Sequence, residues 1–540
     1  MTYDCIIFAS AAHDGIKSRS LGPHKVATVL RQNGFSTLVI DYMEYWKLGQ
    51  FFEMLKVSIG ENTKFVGWSS TWTQLGTDFG FDQRRVPFKT LEFDILNQPL
   101  TNFVSTGRFP AILQYIREIN PKTKILVGGT KAPAISKYLA DNPDYKGLID
   151  NVMAGYAEST IVKYAQDPDS FGWYISEDPH AMGYDFQTGT THYTDNDFIT
   201  PQEILSIECS RGCRFACKFC SFPLIGRKDL AKNWKSKECF RAELMENYEK
   251  WGTHKYMIVD DTFNDSTEKL RYYNDVIQSL PFKLSFWCYL RAEMIVNEPE
   301  QIDLLRDMGL VYCFFGIETY NHASGKAIGK GMDPDRIKQM LRDCRESWGD
   351  NVVMTQGLIF GLPHQNEQDI HDDLAWMMTE DSPIDFAEAQ PLFISSEAMR
   401  SAGNFVYLSK FDMEYRDWGY TFPHNEPEKM HMWEKDDDTD IKSFEEAREL
   451  ADFYNESLWP NFMKHGKRKK INIFTSAIDD PAYADFNKLK EMTREQQIDL
   501  INSLPDYSGQ QSGTEVGFGL LIQKHYVKPL LKKFGVDKIY

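Results

Sequence analysis

The sequence lacks any run of about 18 consecutive apolar residues, the length that a helix needs to cross a bilayer. It also lacks an export-signal pattern at its start, where MTYDCIIFAS has an acidic residue and no basic one before a short apolar run. That start predicts a first β-strand. We therefore expect a cytoplasmic protein without a membrane span.

Cysteine and basic residues are both in limited supply. The chain has 9 cysteines among 540 residues, an odd number, and several lie inside apolar segments. This favours reduced thiols over a disulfide framework. Lys and Arg number 60 against 78 Asp and Glu, for a formal net charge of −18. Nucleic-acid binding is not expected, because such a chain repels a phosphate backbone.

What the chain does contain is a globular composition and two alternations of strand and helix patterns. The first covers residues 1–165, with predicted strands at 4–10, 36–42, 64–71, 124–129 and 151–157 and an apparent insertion at 75–105. Nearly continuous apolar strands that alternate with helices predict an α/β fold, a Rossmann-like, doubly wound parallel sheet. Ligands of such sheets lie where the strands end. This chain has Ser69, Ser70, Gly128 and Gly129 there.

The second alternation covers residues 201–399, after a polar segment at 166–200 that we interpret as a linker. Six predicted strands, at 203–210, 255–261, 284–291, 311–319, 351–361 and 386–394, indicate a partial (β/α)6 barrel. Polar residues recur at the strand ends: Glu208, Asp260, Asp261, Arg291 and Glu318. The less regular residues 400–540 are expected to cover the barrel mouth and to select the substrate.

Four of the cysteines lie in the single segment ECSRGCRFACKFC (208–220). Structural zinc usually takes two short pairs from separate segments, and no second pair is nearby. A thioredoxin-type pair is disfavoured, because Cys217 and Cys220 open no βαβ helix. Cys209 lies inside a predicted strand and reads as a packed thiol. The remaining Cys213-x3-Cys217-x2-Cys220 matches the corner spacing of a four-iron cluster with one iron left open.

The CxxxCxxC pattern, with Phe219 before its last cysteine, resembles the radical S-adenosylmethionine (SAM) superfamily. The context E-x-S-R-G-C (208–213) resembles the branch that has an N-terminal cobalamin-binding domain. The resemblance implies that the open iron binds the amino and carboxylate groups of SAM. One electron, from an external reductant such as flavodoxin or ferredoxin, then releases a 5'-deoxyadenosyl radical that abstracts hydrogen from a small-molecule or peptide substrate.

Further residues follow the family's pattern. By resemblance, Asp260 and Asp261 in VDDTFND meet the amino group of SAM, Arg291 in CYLRAE holds its carboxylate, and Glu318 in FGIET reaches the ribose or methionine. GLIFGLP (357–363) resembles the segment near adenine, but His364 and Gln365 replace the usual small and acidic pair. Each role has a structural alternative: the aspartates could cap the next turn, and Arg291 could form a barrel-rim ion pair.

The front residues resemble cobalamin-binding Rossmann-like domains through GPHKVATVLRQNGFSTLVIDY (22–42), VGWSST (66–71), ILVGGTKA (125–132) and DNVMAGYAES (150–159). Ser69 or Ser70 and the pair Gly128–Gly129 would then line the cleft for the nucleotide tail or corrin edge. The D-x-H-x-x-G element is absent around His13, and His24 lies at a helix start. We expect no histidine on the lower face of the cobalamin. A domain that kept this fold and lost the ligand is the alternative.

The resemblance therefore implies a cobalamin-dependent radical SAM enzyme that methylates an unactivated carbon. A cyclisation, rearrangement or oxidation, with or without cobalamin, stays open. A methylthiotransferase is disfavoured, because its second cluster needs three N-terminal cysteines and this region offers Cys5 alone. A non-enzymatic electron-relay module would not need the polar strand ends.

Overall fold

The computed structural model describes residues 1–10, 18–71, 100, 109–130, 132–176, 184–199, 203–222, 226, 233–395, 408–423, 432–464 and 522–536. His13 and nearly all of the predicted insertion at 75–105 lie outside these residues. Within the described ranges, no helix has the length and apolar character needed to cross a membrane.

The first sheet has six parallel strands in the order β2-β1-β3-β4-β5-β6. The strands are β1 Cys5–Phe8, β2 Thr37–Ile40, β3 Phe65–Ser69, β4 Lys124–Gly128, β5 Asn151–Ala154 and β6 Tyr174–Ser176. The helices are α1 Leu21–Gln32, α2 Leu48–Ser58, α3 Phe109–Ile119, α4 Ala132–Asp141 and α5 Glu158–Gln166, with 3-10 turns at Met43–Tyr45 and Pro168–Ser170. The doubly wound prediction is confirmed.

One strand of this sheet was not expected. β6 falls inside residues 166–200, the segment interpreted as a linker, and pairs in parallel with β5. Three residues are too few to show a strand periodicity in the sequence, and pairing at the sheet edge is what makes them a strand.

The second sheet is also parallel, with its six strands in sequence order, which confirms the predicted partial barrel. The strands are β7 Leu205–Ile207, β8 Lys255–Ile258, β9 Ser285–Leu290, β10 Leu310–Glu318, β11 Val353–Phe360 and β12 Phe386–Pro391. The helices are α6 Lys237–Trp251, α7 Thr267–Gln278, α8 Ala292–Asn297, α9 Glu300–Met308, α10 His322–Ile328, α11 Pro334–Trp348 and α12 Glu367–Met377, with a 3-10 turn at Gly349–Asn351.

The C-terminal region divides between the two sheets. Its first part packs into the barrel core and comprises α13 Lys410–Glu414, the 3-10 turn Tyr415–Trp418, the antiparallel pair β13 Tyr420–Thr421 and β14 Glu434–Lys435, and α14 Phe444–Lys464. Its last part, the π-helix Gln523–Val527 and α15 Lys528–Lys533, packs against the front sheet instead. There the hydroxyl of Tyr526 accepts a hydrogen bond from the backbone N–H of Asp41 at 2.8 Å.

Candidate active site between the two sheets

One cavity lies between the carboxyl ends of the two sheets. It encloses about 570 Å³, within the range of about 300–1,000 Å³ that small-molecule and cofactor sites occupy. Ser69, Gly128 and Gly129 line it from the first sheet, and Asp260 and Asp261 line it from the second. The structure thus brings together strand-end residues that the sequence predicted separately for two domains.

Ser70 does not line this cavity. Its side chain is fully buried, its backbone N–H donates to the carbonyl of Gly128 at 2.7 Å, and its hydroxyl has no hydrogen-bond partner among the described residues. Of the two candidate serines, Ser69 is therefore the one at the cavity wall.

The two glycines after β4 are glycine for different reasons. At Gly129, φ is +100° and a Cβ would lie 2.7 Å from Oγ1 of Thr71, so the backbone itself excludes a side chain. At Gly128 the backbone has no such restriction, and a Cβ would meet the carbonyl oxygen of Met153 at an ordinary 3.7 Å. Packing therefore does not require glycine at position 128. Because glycine has no side chain, the space beside it at the cavity wall stays open for a ligand.

Four charges, three of them buried and the fourth, Glu208, largely buried, join the two domains at the cavity wall. Lys25 of α1 donates to Glu208 at 2.6 Å, and Arg211 donates to both Glu208, at 2.8 Å, and Glu158 of α5. Burial alone would raise the pKa of Glu208, but Arg211 and Lys25 outweigh it and lower this pKa to about 2. Each domain supplies one cation and one anion, so the pairs hold the two sheets together around the cavity.

A carboxylate anchors the start of the segment 208–220, which contains the three candidate ligand thiols and is called the cysteine loop below. Asp260, two residues after the end of β8, accepts hydrogen bonds from the backbone of Cys209 at 2.7 Å and of Ser210 at 3.0 Å. It also accepts from the Ser210 hydroxyl at 2.6 Å and from Lys269 at 2.9 Å. Cys209 itself is fully buried in the barrel core, as predicted for a packed thiol. Asp260 therefore positions the loop, a role close to the turn-capping alternative.

Asp261 has a different environment. It lines the cavity and accepts a backbone hydrogen bond from Gly212. Burial, with the neighbouring carboxylates of Asp260 and Glu208, raises the pKa of Asp261 to about 7. Its charge also contributes to raising the pKa of Cys213 and Cys220. Asp261 is thus an acidic group between the cavity and the cysteine loop, where a cation would stabilise its ionised form.

Each of the three candidate ligand thiols has its own hydrogen-bond partner. Cys213 lies 3.5 Å from the hydroxyl of Thr262, Cys217 accepts from Arg291 at 3.0 Å, and Cys220 accepts from a backbone N–H. Burial raises the pKa of Cys213, and that of Cys220 to about 12, so both thiols are protonated when no metal is bound. Metal binding has to displace these protons, because thiolates are the metal ligands.

The arrangement of the donors bears on which kind of metal group the loop could hold. In the part of the chain that the structure describes, no three Cys, His, Asp or Glu side chains converge where one metal ion could sit. Tetrahedral zinc needs four donors around one point at about 2.0–2.3 Å. An iron–sulfur cube instead takes each thiolate on a different iron, so thiols that share a loop without converging fit it.

Arg291 and Glu318 are both engaged within the chain. Besides Cys217, Arg291 donates to Glu293 at 2.9 Å and to the carbonyl of Gly329 at 3.2 Å. Its contact with the carboxylate of SAM stays a prediction, whereas the barrel-rim ion pair is present. Glu318 ends β10 with φ at +69°, a costly conformation for a non-glycine residue, and pairs with Lys330 at 3.2 Å.

His24 is not at the cavity. Its ring is fully buried in α1 and lies 2.8 Å from a carboxylate oxygen of Asp41. Sequence reasoning missed its neighbour Lys25, together with Glu158 and Arg211. A basic residue within the apolar stretch of α1 was the available signal for Lys25, but its partners are far away in the sequence.

Comparisons with known proteins found a matching family, related sequences and solved structures of similar fold. Residues 207–377 match the model of the Radical SAM superfamily. The hopanoid C-3 methylase of Methylococcus capsulatus is 24% identical over 217 residues, which cover 37% of this chain and 40% of that protein. The match therefore spans well under half of the methylase.

Two solved structures share the fold. One is the radical SAM methyltransferase TsrM from Kitasatospora setae, with cobalamin and a [4Fe-4S] cluster bound: 15% identity, 79% of this chain, 78% of that chain and a TM-score of 0.52. The other is the cobalamin-dependent SAM radical enzyme OxsB, with aqua-cobalamin and SAM bound: 12% identity, 98% of this chain, 78% of that chain and a TM-score of 0.50. The chain therefore carries a radical SAM domain at residues 207–377, behind a Rossmann-like domain in the overall fold of these two enzymes.

Proposed function

We propose that this protein is a cobalamin-dependent radical SAM enzyme that methylates an unactivated carbon of its substrate. The observation that carries the proposal is a cavity that the strand ends of both sheets line together. Two cofactors that must act on one substrate need their sites to open on a common space. Methylases among the relatives support methyl transfer as the reaction.

Cys213, Cys217 and Cys220 are the proposed ligands of a [4Fe-4S] cluster. When bound, the cluster supplies the electron that cleaves SAM to a 5'-deoxyadenosyl radical, and cobalamin supplies the methyl group. The chain's own contribution is to hold the loop in place. Asp260 anchors its start through the backbone of Cys209 and Ser210.

Asp261 is the proposed partner of the ammonium group of SAM. A cation beside this carboxylate offsets the repulsion from Asp260 and Glu208, which lowers the cost of ionising it. Glu318, held in its strained conformation at the end of β10, is proposed to meet the ribose or methionine.

Ser69, Gly128 and Gly129 are the proposed cobalamin contacts at the front wall. Much of the cavity wall around them is apolar, including Leu126, Val26 and Met153, which suits the body of a large ring. We infer that no histidine binds the cobalt from below, because the D-x-H-x-x-G element is absent from the sequence and His24, which is fully buried, does not line the cavity. We also infer a cytoplasmic location and an external one-electron reductant such as flavodoxin or ferredoxin.

The test is anaerobic reconstitution of the full chain with iron, sulfide and hydroxocobalamin, followed by product analysis with SAM and dithionite. The expected result is bound iron and sulfide, cobalamin absorbance in the purified protein, and formation of both 5'-deoxyadenosine and S-adenosylhomocysteine. Deoxyadenosine without S-adenosylhomocysteine would favour the alternative, a non-methylating radical reaction. Zinc, or no metal, in the cysteine loop would contradict the proposal altogether.

A further inference from the structure

Arg291 is fixed against one of the cysteine sulfurs. It follows β9 directly, is buried, and donates a hydrogen bond from Nη1 to Sγ of Cys217 at 3.0 Å. The backbone N–H of Arg291 donates to Asn264 at 2.8 Å. These contacts hold the side chain and the backbone of the same residue, so the guanidinium has one position relative to the sulfur.

The surroundings of the guanidinium strengthen its electrostatic effect. The ring of Phe215 lies 4.0 Å from the guanidinium carbon, which keeps water from that face. A buried charge is weakly screened, so it acts on its neighbours more strongly than an exposed one. One opposing charge is close: Glu293 accepts from Nη2 at 2.9 Å.

We propose that Arg291 sets the reduction potential of the cluster on the cysteine loop, with Glu293 as the opposing charge. This inference rests on the proposed function, because it needs the cluster to be there. Reduction adds one electron, taken from the external reductant, and breaks no bond at Arg291. The added negative charge extends onto the sulfur ligands, so a cation and an N–H donor at Cys217 stabilise the reduced cluster more than the oxidised one.

This role differs from holding the carboxylate of SAM, and the two roles are separable by experiment. A carboxylate contact exists only with SAM bound, so its loss weakens SAM binding and leaves the SAM-free cluster unchanged. The hydrogen bond to the cysteine sulfur does not require SAM. The potential of the SAM-free cluster therefore reports the proposed role alone.

The experiment is a redox titration of the reconstituted, SAM-free protein, followed by the electron paramagnetic resonance signal of the reduced cluster. Arg291→Gln keeps an N–H donor and removes the charge. We expect its ratio of reduced to oxidised cluster, at a fixed potential, to fall at least tenfold, which is 59 mV for a one-electron couple. Arg291→Lys keeps the charge, so its ratio of reduced to oxidised cluster should fall less.

Glu293→Gln supplies the opposite sign. It leaves the charge of Arg291 uncompensated, so its cluster should reduce more readily than that of the wild type. Arg214→Gln is the matched control, because Arg214 is an exposed cation on the same loop that donates to the carbonyl of Asp265. At the same fixed potential, its ratio of reduced to oxidised cluster should stay within twofold of the wild-type ratio.

Several results would overturn the inference. An unchanged potential in Arg291→Gln with full iron and sulfide content would do so, as would a shift of Glu293→Gln in the same direction as Arg291→Gln. If Arg291→Gln fails to assemble a cluster, Arg291→Lys and Glu293→Gln still decide the matter. Absence of iron and sulfide in the wild type would instead refute the proposed function, so the two failures are distinguishable.

Discussion

Asp260 and Asp261 are neighbours in the chain with opposite electrostatic surroundings. Asp260 is paired with buried Lys269 and with the backbone of the cysteine loop. Asp261 faces two other carboxylates, and burial together with them raises its pKa to about 7. One acid is therefore held by partners within the chain, and the other is the one proposed to meet a cationic ligand.

Asp261→Asn should stabilise the cofactor-free protein at alkaline pH. A carboxyl with a raised pKa in the folded state contributes stability below its ordinary pKa of 3.8, and this contribution is lost as the pH rises through about 7. Removing the charge should therefore gain up to about 4 kcal/mol at pH 8, at 1.36 kcal/mol for each pKa unit, and little at pH 4. Urea unfolding at both values measures this difference.

The exposed Asp417 provides the control for that experiment, because Asp417→Asn should leave the unfolding free energy unchanged at both pH values. The same Asp261→Asn protein should bind SAM more weakly. Equal stability of wild type and Asp261→Asn at pH 8 would contradict the proposed repulsion.

Glu208→Gln should have the reverse pH dependence. Lys25 and Arg211 lower the pKa of Glu208 from 4.5 to about 2, so its contribution is present above pH 4.5 and is lost as the pH falls through about 2. We expect the variant to be less stable by about 3 kcal/mol at pH 6, with the difference closing towards pH 2. Glu414→Gln, at an exposed position, should show no such trend.

Cys217→Ala should abolish cluster assembly and SAM cleavage while the front domain stays folded. Iron and sulfide analysis after reconstitution measures the loss, and cobalamin absorbance reports on the front domain. Cys239→Ala is the matched control, since Cys239 is a half-buried thiol on α6 outside the loop. A full complement of iron and sulfide in Cys217→Ala, or its loss in Cys239→Ala, would refute the ligand assignment.

Gly128→Ala tests whether glycine is needed to leave space for a ligand, and Gly129→Ala tests whether it is needed for the backbone conformation. Gly129→Ala forces a side chain into a backbone with φ of +100° and into contact with Thr71, so we expect a loss of at least about 1 kcal/mol. Gly128→Ala should change stability by less than about 0.5 kcal/mol and weaken cobalamin binding about tenfold. Thermal unfolding and cobalamin titration measure the two effects; unaltered cobalamin affinity in Gly128→Ala would remove Gly128 from the site.

Patterns local in the chain were predictable before the structure. Apolar runs, helical periodicity and turn residues located eleven of the twelve strands in the two parallel sheets, and the Cys213-x3-Cys217-x2-Cys220 spacing indicated a metal-binding loop. The position of strand-end residues such as Gly128 and Asp261 at a cavity could be predicted, because parallel sheets place their strand ends at one edge. These inferences need only neighbours in sequence and the geometry of regular structure.

The pairing of distant groups was decided by the tertiary structure alone. Lys25 and Glu208 are 183 positions apart, and Cys217 and Arg291 are 74 apart, so no periodicity connects them. Likewise, Asp260 and Asp261 have identical side chains, and only the packed barrel gives Lys269 to one and like charges to the other. The physical reason is that burial and charge pairing depend on which surfaces meet in space. The sequence by itself specifies only the strands, helices and turns that form those surfaces.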